Sequence, residues 1–251
     1  MEFCSLGSGS AGNALLVRTG NACLMLDCGF GPREFERRIA SRAMDPRDID
    51  AIVVTHEHSD HVGGVAAVAR RFGIAVYATA GTAKASRLDQ QPFGVLESER
   101  TLRIGDIDVL PVTVPHDARE PCQFLFAHAG KTLGVLTDLG HVSKLVRDRF
   151  AACDALVLEC NHDEQMLEQG PYPYPLKRRV GGNLGHLSNA QAAGFLASVE
   201  QGVLQHLVAA HLSEQNNAPR KAREALAAVL GHERGLQVAD QSAGFGWLEI
   251  L

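Results

Sequence analysis

The segment Thr55-His56-Glu57-His58-Ser59-Asp60-His61-Val62-Gly63-Gly64 gathers more metal-competent side chains than any other stretch of the chain. His56 and His58 stand two apart after the apolar run Ala51–Thr55, where extended backbone turns alternate side chains the same way. Both can therefore grip one cation, and Asp60 and His61, beyond the bend, can face a second beside it. This is not an H-E-x-x-H zincin, because Asp60 stands where that motif needs its second histidine. A solvated loop would explain a lone histidine, but not H-x-H-x-D-H at the end of a buried strand. Glu57, between these residues, reads as exposed. Histidine and carboxylate without thiolate suit Zn²⁺, Mn²⁺ or Fe. Two such ions about 3.5–4 Å apart can share a hydroxide nucleophile and stabilise a phosphoryl or acyl oxygen. That chemistry is hydrolysis.

Strands must stand behind such a loop. Met1–Leu6, Ala14–Thr19 and Ala22–Asp27 are apolar runs separated by glycine-rich turns, with a tight hairpin at Gly20-Asn21. Arg33–Ser41 reads as a charged helix, Ala51–Thr55 as a strand, Gly64–Phe72 as a helix, Ala75–Ala78 as a strand and Thr82–Gln90 as a helix. A meander follows through Thr101–Ile104, Ile107–Val114, Gln123–His128 and Thr132–Leu136, and then a buried strand, Ala155–Glu159. The last third predicts a helix after Ser188, a strand Leu207–Ala210, a helix Pro219–Leu230 and a final strand pair. Strand runs capped by helices, twice over, predict two packed sheets with helices on their outer faces, in one domain over residues 1–251. The proline cluster Gly170–Pro175 is too short to separate domains.

Gly7-Ser-Gly-Ser-Ala-Gly12 matches the G-x-G-x-x-G dinucleotide pattern, with Asp27 downstream. Its last glycine should open a helix, yet it opens Ala14–Thr19, which runs straight into the Gly20-Asn21 turn. The glycines are read instead as a turn that brings backbone close to something.

The chain has 251 residues, 45% apolar and 21% charged, with a net charge of −5. Collagen-like, low-complexity and disulfide-miniprotein classes are excluded. An acidic chain lacks a broad polyanion-binding footprint, so any nucleic-acid contact must use a local basic surface or bound cations. The six cysteines are scattered without a Cys-x-x-Cys pair, which argues against a zinc ribbon or thioredoxin-type site. As small buried hydrophobes they fit a reduced, cytoplasmic compartment. No signal-peptide pattern is visible, and no apolar run is long enough to span a membrane. No particular protein partner is indicated.

In order along the chain, these motifs resemble those of the metallo-β-lactamase superfamily over almost the whole length. The resemblance implies an α/β fold, a four-layer αβ/βα sandwich of two mixed sheets, with a two-metal site at the sheet edges. It implies His56, His58 and His116 as ligands of one divalent ion, and Asp60, His61 and His211 as ligands of the other. Asp138, in Leu136-Thr137-Asp138-Leu139-Gly140, matches the bridging carboxylate, and Asp27 matches the aspartate that supports the metal loop from behind. His116 could be a surface turn residue, but one ion would then lack its third histidine. Asp138 and His211 each follow an apolar strand run, where a polar side chain needs a partner or an ion. His128, His206 and His232 read as structural or solvent-exposed.

The superfamily includes β-lactamases, thioesterases, lactonases, phosphodiesterases and nucleases, so fold alone does not choose. The discriminating segment runs from Lys177-Arg178-Arg179 through a glycine-rich loop to Gly185-His186-Leu187-Ser188-Asn189. Ser188 and Gln191 form a capping-box pattern. Backbone N–H groups at a helix start, next to Arg and Lys, suit phosphate, the alternative being an ordinary cap with a solvated basic turn. Arg179, Ser188 and Asn189 are thus candidate substrate contacts. His141 and His162, after strand ends, are candidates to touch substrate or brace a ligand. His186 is placed to protonate a leaving oxygen and resembles the extra histidine of the tRNase Z and phosphodiesterase branches.

Finer resemblance is to the YycJ/WalJ-type bacterial nuclease branch. It is carried by Leu6–Asn13, His116-Asp117-Ala118, Leu158-Glu159-Cys160-Asn161-His162-Asp163, Gly185–Asn189 and His211-Leu212-Ser213. It implies a metal-dependent 5′-exonuclease acting on DNA ends in repair, with Asp60 and His186 as catalytic residues. The alternatives are a tRNase Z-like RNase or small phosphodiesterase, and a thioester or lactone hydrolase needing neither His186 nor the basic stretch. A binding module that merely retains the fold is disfavoured by the complete ligand set.

Overall fold

Alternation along the strands decides the layering. A computed structural model describes residues 1–251, and in its first strand, β1 (Glu2–Gly7), Phe3 and Cys4 point to opposite faces and enter different cores. The N-terminal half continues with β2 (Ala14–Arg18), β3 (Cys23–Leu26), α1 (Pro32–Ala40), β4 (Ala51–Val53), the short α2 (Ser59–Val62), α3 (Val65–Phe72), β5 (Ala75–Thr79), α4 (Ala80–Ser86) and β6 (Gly94–Leu96). The second half holds β7 (Leu102–Ile104), β8 (Ile107–Thr113), β9 (Cys122–His128), β10 (Lys131–Leu136), α5 (Lys144–Arg149), β11 (Ala155–Glu159), α6 (Glu164–Gln169) and α7 (Tyr174–Val180). It closes with α8 (Asn189–Leu196), β12 (His206–Ala210), α9 (Pro219–Leu230), β13 (Leu236–Val238) and β14 (Phe245–Glu249).

Two seven-stranded sheets result, in the orders β14-β1-β2-β3-β4-β5-β6 and β13-β12-β11-β10-β9-β8-β7. Each is antiparallel at one end and parallel at the other: β3 to β6 run parallel in the first sheet, β10 to β13 in the second. Phe3, Leu24 and Val53 of the first sheet meet Phe124, Phe126 and Val157 of the second in the central core. The outward residues Met25 and Ile52 pack under α1 and α3 with Phe35, Ile39 and Val68. Leu136, Leu156 and Leu158 do the same under α5, α8 and α9 with Val146, Phe195 and Leu226. This is the four-layer αβ/βα sandwich, and each fully buried Leu, Ile or Phe contributes about 1.5–3 kcal/mol to it.

Several expectations need correction. The final strand pair is not a pair: β13 lies parallel to β12 at the edge of one sheet, and β14 pairs antiparallel with β1 in the other. Helices α5, α6 and α7 were not expected, because each is only six or seven residues long and shows too few turns to reveal a period. The basic run Lys177-Arg178-Arg179 therefore ends a helix, where cations favour the dipole, before the glycine loop begins. The expected helix Thr82–Gln90 is α4 followed by a separate 3-10 turn at Leu88–Gln90, broken where Arg87 adopts φ +62°.

Candidate active site

The ligand candidates lie beyond the carboxyl ends of strands, the edge at which open parallel sheets bind. Asp27 directly follows β3, Asp138 lies two residues past β10, and His211 directly follows β12. All three adopt left-handed backbone, with φ of +59°, +53° and +56°. That conformation costs on the order of 1–3 kcal/mol at a non-glycine residue, and here it turns each side chain off its strand toward one centre.

The segment after β4 supplies His56, His58, Asp60 and His61, and His116 follows β8. Nε2 of His56 lies 3.0 Å from Nδ1 of His58, and Nε2 of His116 lies 3.2 Å from that same Nδ1. The opposite ring nitrogens are anchored, His56 Nδ1 at Thr55 Oγ1 (2.9 Å) and His116 Nδ1 at the Gly185 carbonyl (3.1 Å). Three nitrogens converging in this way suit a shared cation. Burial, with His61 nearby, holds His56 well below the usual imidazole range, and burial lowers His116 too, so both stand in the neutral form that binds metal.

His61 gives Nδ1 to Asp27 Oδ2 at 2.8 Å, which leaves Nε2 facing Asp138 Oδ2 at 3.1 Å and Asp60 Oδ2 at 3.5 Å. His211 Nε2 lies 3.5 Å from both Asp60 Oδ2 and Asp138 Oδ1. Ligand atoms group as His56 with His58 and His116, as Asp60 with His61 and His211, as His56 with His61 and Asp138, and as Asp138 with Glu159, His186 and His211, so Asp138 stands between the first two clusters. The residues fit divalent cations on a further observation. Asp138 Oδ2, despite the nearby His61 ring, and His211 Nε2 are buried without a well-aligned hydrogen bond, a costly state unless an ion meets them. Burial opposes charge on Asp138, but His211 and His61 hold it well below the usual carboxylate range. His61 and His211 sit above theirs, against burial, because Asp138 attracts the proton that a cation would replace.

Asp27 also accepts the Thr55 N–H and hydroxyl, both at 2.8 Å, so one buried carboxylate fixes the root of the loop and its last histidine. A Cβ on Gly29 would overlap the Asp60 carbonyl, so glycine lets the Asp27 turn lie flat against the metal loop. The Gly7–Gly12 turn is the close backbone approach expected of it. It presents Asn13, whose Nδ2 lies 3.1 Å from His61 Nε2 and 3.4 Å from Asp60 Oδ2, and Ser8, whose Oγ accepts the His211 N–H. Glu57 is half-buried rather than exposed, accepting the Arg119 N–H at 2.7 Å.

His186 joins the cluster, its ring 5.4 Å from that of His116 and 5.3 Å from that of His211. Its Nδ1 lies 2.8 Å from Oε1 of Glu159, a fully buried carboxylate that also lies 3.2 Å from His211 Nδ1 and accepts the N–H groups of Leu139 and Leu187. Burial pulls the His186 pKa down, but Glu159 and Asp138 together raise it above the ordinary value. Sequence reasoning gave Glu159 and Asn13 no role. Glu159 carried a signal: it ends the apolar strand Ala155–Glu159, as Asp138 ends its own run.

The other candidates are placed differently. Arg179 Nε donates to Asp117 Oδ2 at 2.5 Å, and Asp117 Oδ1 lies 3.5 Å from His116 Nε2, so the guanidinium reaches the rim of the cluster. Ser188 and Asn189 are buried and committed within the protein. Ser188 caps α8 in the expected capping box with Gln191, and Asn189 exchanges hydrogen bonds with Asn217. His141 is exposed and holds the Asn183 carbonyl through Nδ1. His162 is buried beside α7, outside the ligand groups but near enough to Glu159 and His186 to feel their charge.

Fold and site together define a metal-dependent hydrolase. The model of the metallo-β-lactamase superfamily matches residues 7–173, and the chain belongs to that superfamily. It is 35% identical over 247 residues to the exodeoxyribonuclease YycJ of Bacillus anthracis, covering 96% of this chain and 92% of the relative. It is 34% identical over 223 residues to the exodeoxyribonuclease WalJ of Streptococcus pneumoniae, covering 86% and 83%. Among solved structures, the metallo-β-lactamase fold protein YhfI of Bacillus subtilis superposes with a TM-score of 0.75 at 16% identity, over 98% of both chains. The short form of human tRNase Z superposes with a TM-score of 0.68 at 16% identity, over the whole of both chains. These two likenesses concern the fold. No helix is long and apolar enough to cross a membrane.

Proposed function

We propose that this protein is a dinuclear metal-dependent 5′-exonuclease acting on DNA ends, folded as one domain. His56, His58 and His116 would hold one divalent ion, Asp60, His61 and His211 the other, and Asp138 would be shared between them. Zn²⁺ or Mn²⁺ is the expected metal, with Fe as a third choice. When bound, the metal pair supplies Lewis acidity and an activated water for attack on phosphorus.

The observation that carries this reading is the His186–Glu159 pair beside the ligand cluster. A phosphodiester of DNA must expel a strongly basic alkoxide, so its cleavage gains from a proton donor at the leaving oxygen. With Nδ1 given to Glu159, His186 has Nε2 left for that oxygen, and its raised pKa favours the protonated form. A thioester, which expels a far less basic thiolate, would make no such demand. Similarity to two exodeoxyribonucleases over most of the chain supports DNA as the polymer. The six free, buried cysteines fit a cytoplasmic location.

The test is cleavage of 5′- and 3′-labelled single- and double-stranded DNA and RNA by Mn²⁺- and Zn²⁺-loaded protein. Release of labelled mononucleotide from the 5′ end of DNA is the expected result. Cleavage confined to RNA, or to thioesters, would replace the reading.

A further inference from the structure

Outside the ligand cluster, α6, α7 and the start of α8 border an open cleft of about 570 Å³, a volume typical of small-molecule sites. Its walls are chemically mixed. Tyr174 stands at the mouth, 71% exposed, with the Arg178 guanidinium 5.9 Å from its ring centre. Lys177 lies beside them, and Leu167 gives an apolar patch. Glu164, Glu168 and Gln191 supply acceptors and an amide. His162, only 3% exposed, also lines the cavity and has no hydrogen-bond partner for its Nδ1.

These walls adjoin the catalytic loop. Ser188, two residues after His186, gives its hydroxyl proton to Glu164 Oε1 at 2.9 Å and its N–H to Gln191 Oε1 at 2.8 Å. The His186 N–H is held by the Val180 carbonyl at the end of α7. The cavity walls Glu164 and Gln191 are thus hydrogen-bonded directly to the loop that carries His186.

An exposed aromatic ring, two cations and a set of hydrogen-bonding edges suit a ligand that is planar, polar at its rim and anionic at one end. An inorganic anion would use neither the ring nor the carboxylates, and an aliphatic chain would leave four charged side chains facing it. We propose that the cavity is a nucleotide subsite, receiving one nucleoside monophosphate unit unstacked at the DNA end beside the bond to be cut. The base stacks on Tyr174, Lys177 and Arg178 face its phosphate, and Glu164, Glu168, Gln191 and His162 meet the base edge. This assignment rests on the nuclease reading for the source of the nucleotide, not for its chemistry.

The test compares metal-loaded wild type with the variant Tyr174→Ala/Arg178→Ala. Tyr174 is largely solvent-exposed, so an unchanged thermal midpoint is expected to accompany the double change. Calorimetry with dAMP should show binding weakened about tenfold or more in the variant, the usual worth of a stacking platform. Deoxyribose 5-phosphate, which reports binding through phosphate alone, should not separate the two proteins by as much. KM for a DNA end should rise, while metal content by elemental analysis should not change. Equal dAMP affinity in both proteins would overturn the proposal. Weakened dAMP binding with unchanged KM for DNA would keep a site for released mononucleotide and overturn its role in holding the strand. If the wild type cuts no DNA yet binds dAMP through Tyr174, the nuclease reading falls and the nucleotide site stands.

Discussion

Glu159 Oε1 lies 2.8 Å from His186 Nδ1 and 3.2 Å from His211 Nδ1, so one buried carboxylate orients both the candidate proton donor and a candidate metal ligand. Replacing it by its amide tests the first of these roles. The His186 pKa is raised in part by the Glu159 charge, so in Glu159→Gln it should fall. The protonated fraction at pH 7–8 then drops, and the pH limb set by the acid moves to lower pH. Turnover of DNA is expected to fall about 10²-fold at pH 8 and to recover in part as pH is lowered. A kcat profile that overlays that of the wild type would separate Glu159 from proton transfer.

His186→Ala should keep its metal and lose about 10²–10⁴ in turnover of DNA. The loss should shrink on bis(p-nitrophenyl) phosphate, whose phenolate departs without a proton. Equal impairment on both substrates would point instead to disturbed metal geometry, and full activity on DNA would reduce the loop to a helix cap.

Two divalent ions per chain are expected by elemental analysis after saturation with Mn²⁺ or Zn²⁺, since Asp138 stands between two ligand groups. Asp138→Ala should lower metal content and activity together. A variant that still holds both ions would remove Asp138 from the bridging position.

Asp27→Ala should destabilise even the metal-free protein. The buried N–H and hydroxyl of Thr55 and the Nδ1–H of His61 all lose their acceptor. A cost of about 3–5 kcal/mol is expected for breaking such a buried set, read from urea unfolding in excess chelator. A change under 1 kcal/mol would show that water replaces the carboxylate.

All six cysteines are buried and unpaired, and burial pushes Cys4, Cys23, Cys28 and Cys153 up to about 12 and Cys122 and Cys160 higher still. At pH 8 almost no thiolate is present. A disulfide reagent should therefore label the native protein slowly and all six thiols at once after unfolding. A fast-reacting thiol in the native state would contradict this.

Most of the metal site was legible in the sequence because its members are polar residues that end apolar runs. His56, Asp138 and His211 each interrupt a hydrophobic pattern where water is excluded, and such a break needs a reason. Glu159 breaks its pattern in the same way, but a carboxylate as the last residue of a strand also looks like an ordinary polar exit. The partners of Ser188 and Asn189 were not legible, since the capping box is local while Glu164 and Asn217 arrive from other elements. The fate of β13 and β14 was hidden for a related reason: neighbouring strands in sequence are the default partners, and here each is captured by a different sheet.

Both sheets contribute to the metal centre, with Asp60 and His61 following a strand of the first and Asp138 and His211 following strands of the second. During synthesis the first sheet's residues emerge early, yet the cluster stays open until the chain has passed His211. The first sheet also waits for β14 before its edge beside β1 is covered. Contacts of such long sequence separation form late and close large loops. A fragment that stops short of His211 thus holds the H-x-H-x-D-H loop and the His56, His58 and His116 group, but not the group of Asp60, His61 and His211.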